Sequence, residues 1–262
     1  MNKKTIYLSL CLLLILAKGA IAQESVWWTL PPLPPPELYG NVLIDRASTK
    51  AGMKPVTFSH WSHRVKYTCR VCHFEIEFNM MVNTTIITED ANKYGRYCGE
   101  CHEGKIAFGH TEENCDKCHN GNLGYGKENF LSLYSLPQAP NGNKVDWVQA
   151  LEKGAINPQT YLREDIPPID FKHKIEIETA WAGISPVIFM HDVHGKWLDC
   201  SNCHPEIFSI EKDETADLAM EYILKYEFCG ACHGKVAFPP KDNCKKCHPK
   251  MKHPGKGLEK KH

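Results

Sequence analysis

With 262 residues, 31 basic and 31 acidic side chains and a formal net charge of zero, the chain has room for one or two domains and no basic excess with which to hold nucleic acid. Its outliers are 13 cysteines and 14 histidines, a usage that raises disulfide, zinc and cofactor chemistry together.

The opening, MNKKTIYLSLCLLLILAKGAIAQ, reads as a secretory signal. Lys3 and Lys4 make its positive end, Ile6 to Ala17 its apolar run, and Ala20-Ile21-Ala22 a cleavage site after Ala22. That run is too short for a convincing membrane span, an uncleaved anchor being the alternative, and no other stretch could cross a bilayer. The mature chain is therefore expected outside the cytoplasm, periplasmic or extracellular. Residues 23–44 form a Pro-rich lead, with Pro31 to Pro36 broken only by Leu33, expected as extended polyproline II without a core. Trp27 and Trp28 in it could enter a partner or cover a cofactor edge.

The stretch Phe58–His73, FSHWSHRVKYTCRVCH, carries two histidines three apart and then Cys69, Cys72 and His73 as CxxCH. CxxCH is the attachment signature for c-type haem. Both sulfurs bond the haem edge, and the adjoining histidine ligates the iron from one face. The motif recurs at Cys98-His102, Cys115-His119, Cys200-His204, Cys229-His233 and Cys244-His248. Disulfides or paired zinc sites would use the cysteines, but neither explains a histidine after the second cysteine every time. The expectation is six covalent haem c groups, held by Cys69, Cys72, Cys98, Cys101, Cys115, Cys118, Cys200, Cys203, Cys229, Cys232, Cys244 and Cys247. The proximal ligands are then His73, His102, His119, His204, His233 and His248. Cys11, the remaining cysteine, lies in the leader.

A shift of 131 residues lays AGMKPVTFSHWSH (51–63) over AGISPVIFMHDVH (182–194), Cys69 over Cys200 and Cys98 over Cys229. Slightly out of step, CGECHEGKIAF (98–108) matches CGACHGKVAF (229–238), and NCDKCH (114–119) matches NCKKCH (243–248). The chain is an internal duplication of a three-haem unit: a first module over 45–122, a linker over 123–172, a second module over 173–253 and a basic tail over 254–262. A short strand is expected before each His pair, and a helical turn at each CxxCH. One short helix is expected in the linker, capped by Asn143, running through VDWVQALEK and stopped by Gly154. Asp217 to Tyr226 is a further helix candidate. So small a module has too few apolar residues for an ordinary core, and haem faces take its place.

Loss of residues 1–22 removes three lysines and no acid. With two propionates per haem, the loaded protein is expected to be acidic. The basic run from Lys241 to Lys261 then serves propionates or an acidic partner, or is a solvated tail.

The order F-x-H-x-x-H, CxxCH, CGxCH-x-GK-x-AF, CxxCH resembles the three-haem cytochrome c7-type modules of the class III multihaem cytochromes c, over 45–122 and 173–253. The resemblance implies a mostly irregular fold with short α-helices and a haem-packed core, in two tandem cytochrome c7/c3-like copies. It also implies that the first histidine of each pair caps the first haem and the second caps a later one, which makes His60, His63, His191 and His194 distal ligands. Bis-histidine ligation throughout needs two more. This chain lacks the histidine that the family often places between the first and second CxxCH. His110, Met80 or Met81 are candidates in the first module, and Met220, His173 or His253 in the second.

Closely packed haems with both faces ligated describe an electron carrier rather than an enzyme, in a periplasmic or extracellular respiratory chain. Its partners would be redox proteins, with a membrane quinone-oxidoreductase or an outer-membrane complex as candidates and no nucleic acid. The alternatives are a multihaem reductase of the nitrite or sulfite type, which needs an open iron position, and a structural subunit of a cytochrome complex or filament.

Overall fold

Two short antiparallel hairpins, each running directly into a one-turn helix, set the frame of the computed structural model, which describes residues 31–179, 184–211, 214–215 and 218–251. The leader, Trp27, Trp28, His253 and the basic tail lie outside those residues. The described residues from Leu33 onward make up one compact unit. None of the described helices is long and apolar enough to cross a membrane.

Strand β1 (Asn41–Ile44) pairs with β2 (Val56–Ser59) in the register Asn41↔Ser59 to Ile44↔Val56. Helix α1 (His60–Arg64) starts at the next residue. The second copy repeats this with β3 (Lys174–Ile177), β4 (Val187–Met190) and α5 (His191–Gly195). The expected strands before the His pairs are β2 and β4, and β-branched residues such as Val56, Val187 and Ile188 suit the pleat. Their partners β1 and β3 were not foreseen. Asn41–Ile44 closes the hairpin as a paired strand, which corrects the reading of the whole lead as extended and unpacked. Tyr39, just before it, is 2% exposed and donates its hydroxyl to the carbonyl of Ala237.

The remaining helices are equally short: α2 (Glu89–Lys93), α3 (Cys115–Cys118), α4 (Trp147–Glu152), α6 (Met220–Leu224) and α7 (Cys244–Cys247). The fold is mostly irregular. The cap of α4 is Asp146, whose side chain accepts from the amide of Gln149, and not Asn143. Asn143 instead accepts from the amide of Val145 and the indole of Trp147, holding the turn before the helix. Gly154 ends α4 at φ +65°, a conformation that glycine adopts without strain.

The lack of an ordinary core expected of each module does not extend to the stretch between them. Trp61, Phe130, Leu133, Val145, Trp147, Ala150, Ile156 and Trp197 form a buried apolar cluster. Most of it comes from the stretch read as a linker, which is a packed wedge. Trp61 meets Phe130 edge-to-face at 5.2 Å. Burying about 200 Å² of indole at about 25 cal/mol per Å² is worth about 5 kcal/mol before the entropic cost.

Beside this cluster, Arg70 in the first CxxCH is 2% exposed. It is bonded to Glu75, to Asp199 at 3.2 Å and to the carbonyls of Thr160 and Ile166. The second oxygen of Glu75 accepts the amides of Leu162 and Arg163. Asn202 donates to the carbonyl of His73. The first motif of each copy therefore faces the other across a buried ionic network.

Candidate haem-binding sites

Each CxxCH is wound into a single helical turn, and this geometry decides where its histidine goes. The amide of the histidine bonds the carbonyl of the first cysteine in five motifs, at His102, His119, His204, His233 and His248, with distances of 2.8–2.9 Å. In the first motif, Val71–Glu75 forms one wide helical turn around His73. Both thiols and the ring thus come off one turn.

Ten histidines share one hydrogen-bond state. The ring Nδ1 of His60, His63, His73, His102, His119, His191, His194, His204, His233 and His248 lies 2.6–3.1 Å from a backbone carbonyl oxygen. A carbonyl only accepts, so Nδ1 carries the proton and Nε2 keeps a free lone pair. A metal-bound imidazole wants this arrangement, with the ring oriented and its basicity raised. The acceptors repeat between copies. Gly40 holds His60 as His173 holds His191, and Lys54 holds His119 as Ser185 holds His248.

Three of these rings face another across a gap. His60 and His73 have centroids 6.5 Å apart and planes within 6°. His63 and His102 are 6.3 Å apart at 52°, and His194 and His233 are 6.3 Å apart at 60°. An imidazole nitrogen lies about 1.1 Å from its ring centre and a first-row metal–nitrogen bond is about 2 Å, so two imidazoles on opposite sides of one metal have centroids about 6.2 Å apart. The three centroid spacings match that distance. No group of three or more His, Cys, Asp or Glu is gathered among the described residues as a tetrahedral metal site requires.

Phe58 stacks on His63 at 4.4 Å and meets His60 edge-on at 4.8 Å. Phe189 repeats both contacts with His194 and His191. The F-x-H-x-x-H spacing thus sets one phenyl ring between two imidazoles and points them to different motifs. His191 instead faces His173 at 5.8 Å, and among the described residues it is not in ring contact with His204. His110 is exposed on a shallow cleft beside Lys93 and Glu113, Met220 opens α6 half-buried, Met80 is half-buried, and Met81 is 66% exposed. Among the described residues His110 makes no ring contact with a proximal histidine, although His102 is its electrostatic neighbour.

Burial tunes the site. It pushes the imidazoles of His60 and His233 down to about 4, against the pull of their carbonyl bonds, and holds His63, His73, His102 and His194 below the ordinary value for the same reason. Neutral imidazole is the ligating form. Burial likewise pushes the thiols of Cys72, Cys98, Cys229 and Cys232 up to about 12 and that of Cys203 to about 11. All twelve motif cysteines are free rather than paired as disulfides.

Two residue types escaped sequence reasoning. One is the set of residues whose carbonyls accept from the histidines, and their side chains carry no signal. The other is Phe108 and Phe238, which pack on His102 and His233 at 4.4 and 4.3 Å. Their repetition in GK-x-AF was the signal available.

Thiol pairs on single turns, each with a histidine whose Nε2 is free, define a multihaem c-type cytochrome. Residues 56–120 and 187–249 match the family of cytochrome c7 and related cytochrome c, and these two regions are tandem modules of that type. No curated protein matches it. Among solved structures it is similar to the C-terminal hexaheme fragment of GSU1996, with 26% identity over 83% of this chain and 99% of that one and a TM-score of 0.27. It is also similar to the dodecaheme cytochrome c GSU1996, with 22% identity over 81% of this chain and 75% of that one and a TM-score of 0.28.

Proposed function

We propose that this chain is a hexahaem electron carrier, exported and working between redox proteins in a periplasmic or extracellular respiratory chain. The observation that supports it is the shared state of ten histidines, with Nδ1 held by a carbonyl and Nε2 free, six of them following a CxxC pair. In this reading the six CxxCH histidines are proximal ligands, with His60 distal to the first haem and His63 to the second. His194 is distal to the fifth, and His191 serves the second module as well. When bound, each haem supplies a one-electron iron couple. The chain sets spacing, ligation and burial.

Denatured protein should weigh the polypeptide plus six covalent haems, and a lower count would overturn the reading. At the haems that His60, His63 and His194 cap in this reading, the reduced protein should bind carbon monoxide slowly if at all, because both iron faces are taken. Fast binding would favour a reductase. His60→Ala should turn one low-spin haem high-spin with six covalent haems retained, and an unaltered spectrum would remove His60 from the ligand set.

A further inference from the structure

A half-buried cation lies where the two modules meet. Arg64 ends α1, and its guanidinium carbon lies 4.7 Å from the ring centre of Trp147 and 4.4 Å from that of Trp197. One Nη donates to the carbonyl of Val236 in the second module at 3.2 Å, while Nε is buried without a partner. No carboxylate lies within ion-pair distance of it among the described residues. A guanidinium does not lose its proton in proteins, so this is a standing positive charge, met by two indole faces and one carbonyl.

Its electrostatic neighbours are Cys69 in the first module and Cys232 in the second. Packing agrees. Cys69 lies against the same tryptophan cluster, and the Cys232 carbonyl accepts the amide of Val236, whose own carbonyl Arg64 holds. The cation is also unpaired in the duplication. The equivalent fifth position of α5 is Gly195, although both histidines and the stacked phenylalanine are reproduced. An apolar side chain could fill the slot between the indoles without desolvating a charge, so packing alone does not call for arginine.

Resting on the six-haem reading above, we propose that Arg64 sets potentials: its charge stabilises an added electron at the two irons attached through Cys69–His73 and Cys229–His233. It thereby makes this pair, one from each module, the crossing point between them. Reduction lowers the net charge at an iron by one, so a nearby cation favours it, and the half-buried setting strengthens the effect. Each event moves one electron from a reductant to ferric iron, with no bond made and no proton required.

The test is a redox titration of the loaded full chain, with potentials assigned haem by haem, for the wild type, Arg64→Gln and Arg64→Lys. With six haems retained by mass, Arg64→Gln should lower the potentials of these two haems and leave that on Cys115–His119 in place, while Arg64→Lys stays near wild type. Unchanged potentials in Arg64→Gln, or an equal drop in Arg64→Lys, overturn the proposal. Should Arg64→Gln fail to load its haems, the wild type decides. The haem on Cys229–His233 should then titrate above its duplicate on Cys98–His102, and an equal or reversed order overturns it. Fewer than six haems in the wild type would instead overturn the reading beneath it.

Discussion

A histidine that is to hold iron must be neutral, oriented and bare at one nitrogen, and here burial and a backbone carbonyl supply all three. The acid behaviour follows. His60 and His233 sit near 4 in the folded chain against an ordinary 6.5. Between those values the unfolded chain takes up protons that the folded chain refuses. Stability from these groups is therefore complete above about 6.5 and is lost as the pH falls toward about 4. The unfolding midpoint in denaturant should be flat above about 6.5 and fall only on the acid side of it. A transition centred above that value would contradict the burial of these rings. The histidines themselves were legible from their spacing. Which carbonyl each one bonds was not, because an acceptor on the main chain leaves no mark in the side-chain code.

At the scale of elements, the glycine of CGxCH shows why a motif letter recurs. A Cβ on Gly99 would lie 1.9 Å from the carbonyl oxygen of Asn92 in α2, and one on Gly230 would lie 1.9 Å from that of Ile223 in α6. Each helix carbonyl packs directly onto the second haem-binding turn, and only glycine permits the approach. Gly99→Ala and Gly230→Ala should each cost on the order of 2–4 kcal/mol in denaturant unfolding. Gly195→Ala meets nothing within 4 Å and should stay within about 1 kcal/mol of wild type. Equal effects at the three sites would refute the close approach. The candidate helix over 217–226 appears as the five residues of α6, while the strands β1 and β3 went unread. Asn41–Ile44 follows a proline run that masks its pattern, and Lys174–Ile177 alternates polar and apolar too briefly to stand out.

Across the whole molecule, the wedge between the copies and the ionic network beside it hold the modules together. Glu75 is 4% exposed and joins Arg70 of the first motif to the amides of Leu162 and Arg163. Removing one partner of a buried pair strands the other. Glu75→Ala should therefore cost about 3–5 kcal/mol, read as a fall in unfolding midpoint with the covalent haem content unchanged. A loss below about 1 kcal/mol, as for an exposed pair, would show that the network is not buried in solution.

The chemistry of this chain is written locally. Six CxxCH motifs, two F-x-H-x-x-H pairs and a duplication can be read from the string, because thioether attachment and axial ligation need particular residues at fixed short spacings. The tertiary structure alone decided which rings face each other and that the linker is a core. It also placed Arg64, which has no carboxylate partner among the described residues, near Cys69 and Cys232. Those facts depend on contacts between residues far apart in the chain, where burial and the path of the backbone, rather than spacing, set what meets what. The stretch from Phe58 to His73 spans both levels: its letters name one haem site and two spare histidines, and its fold turns those histidines toward two different motifs.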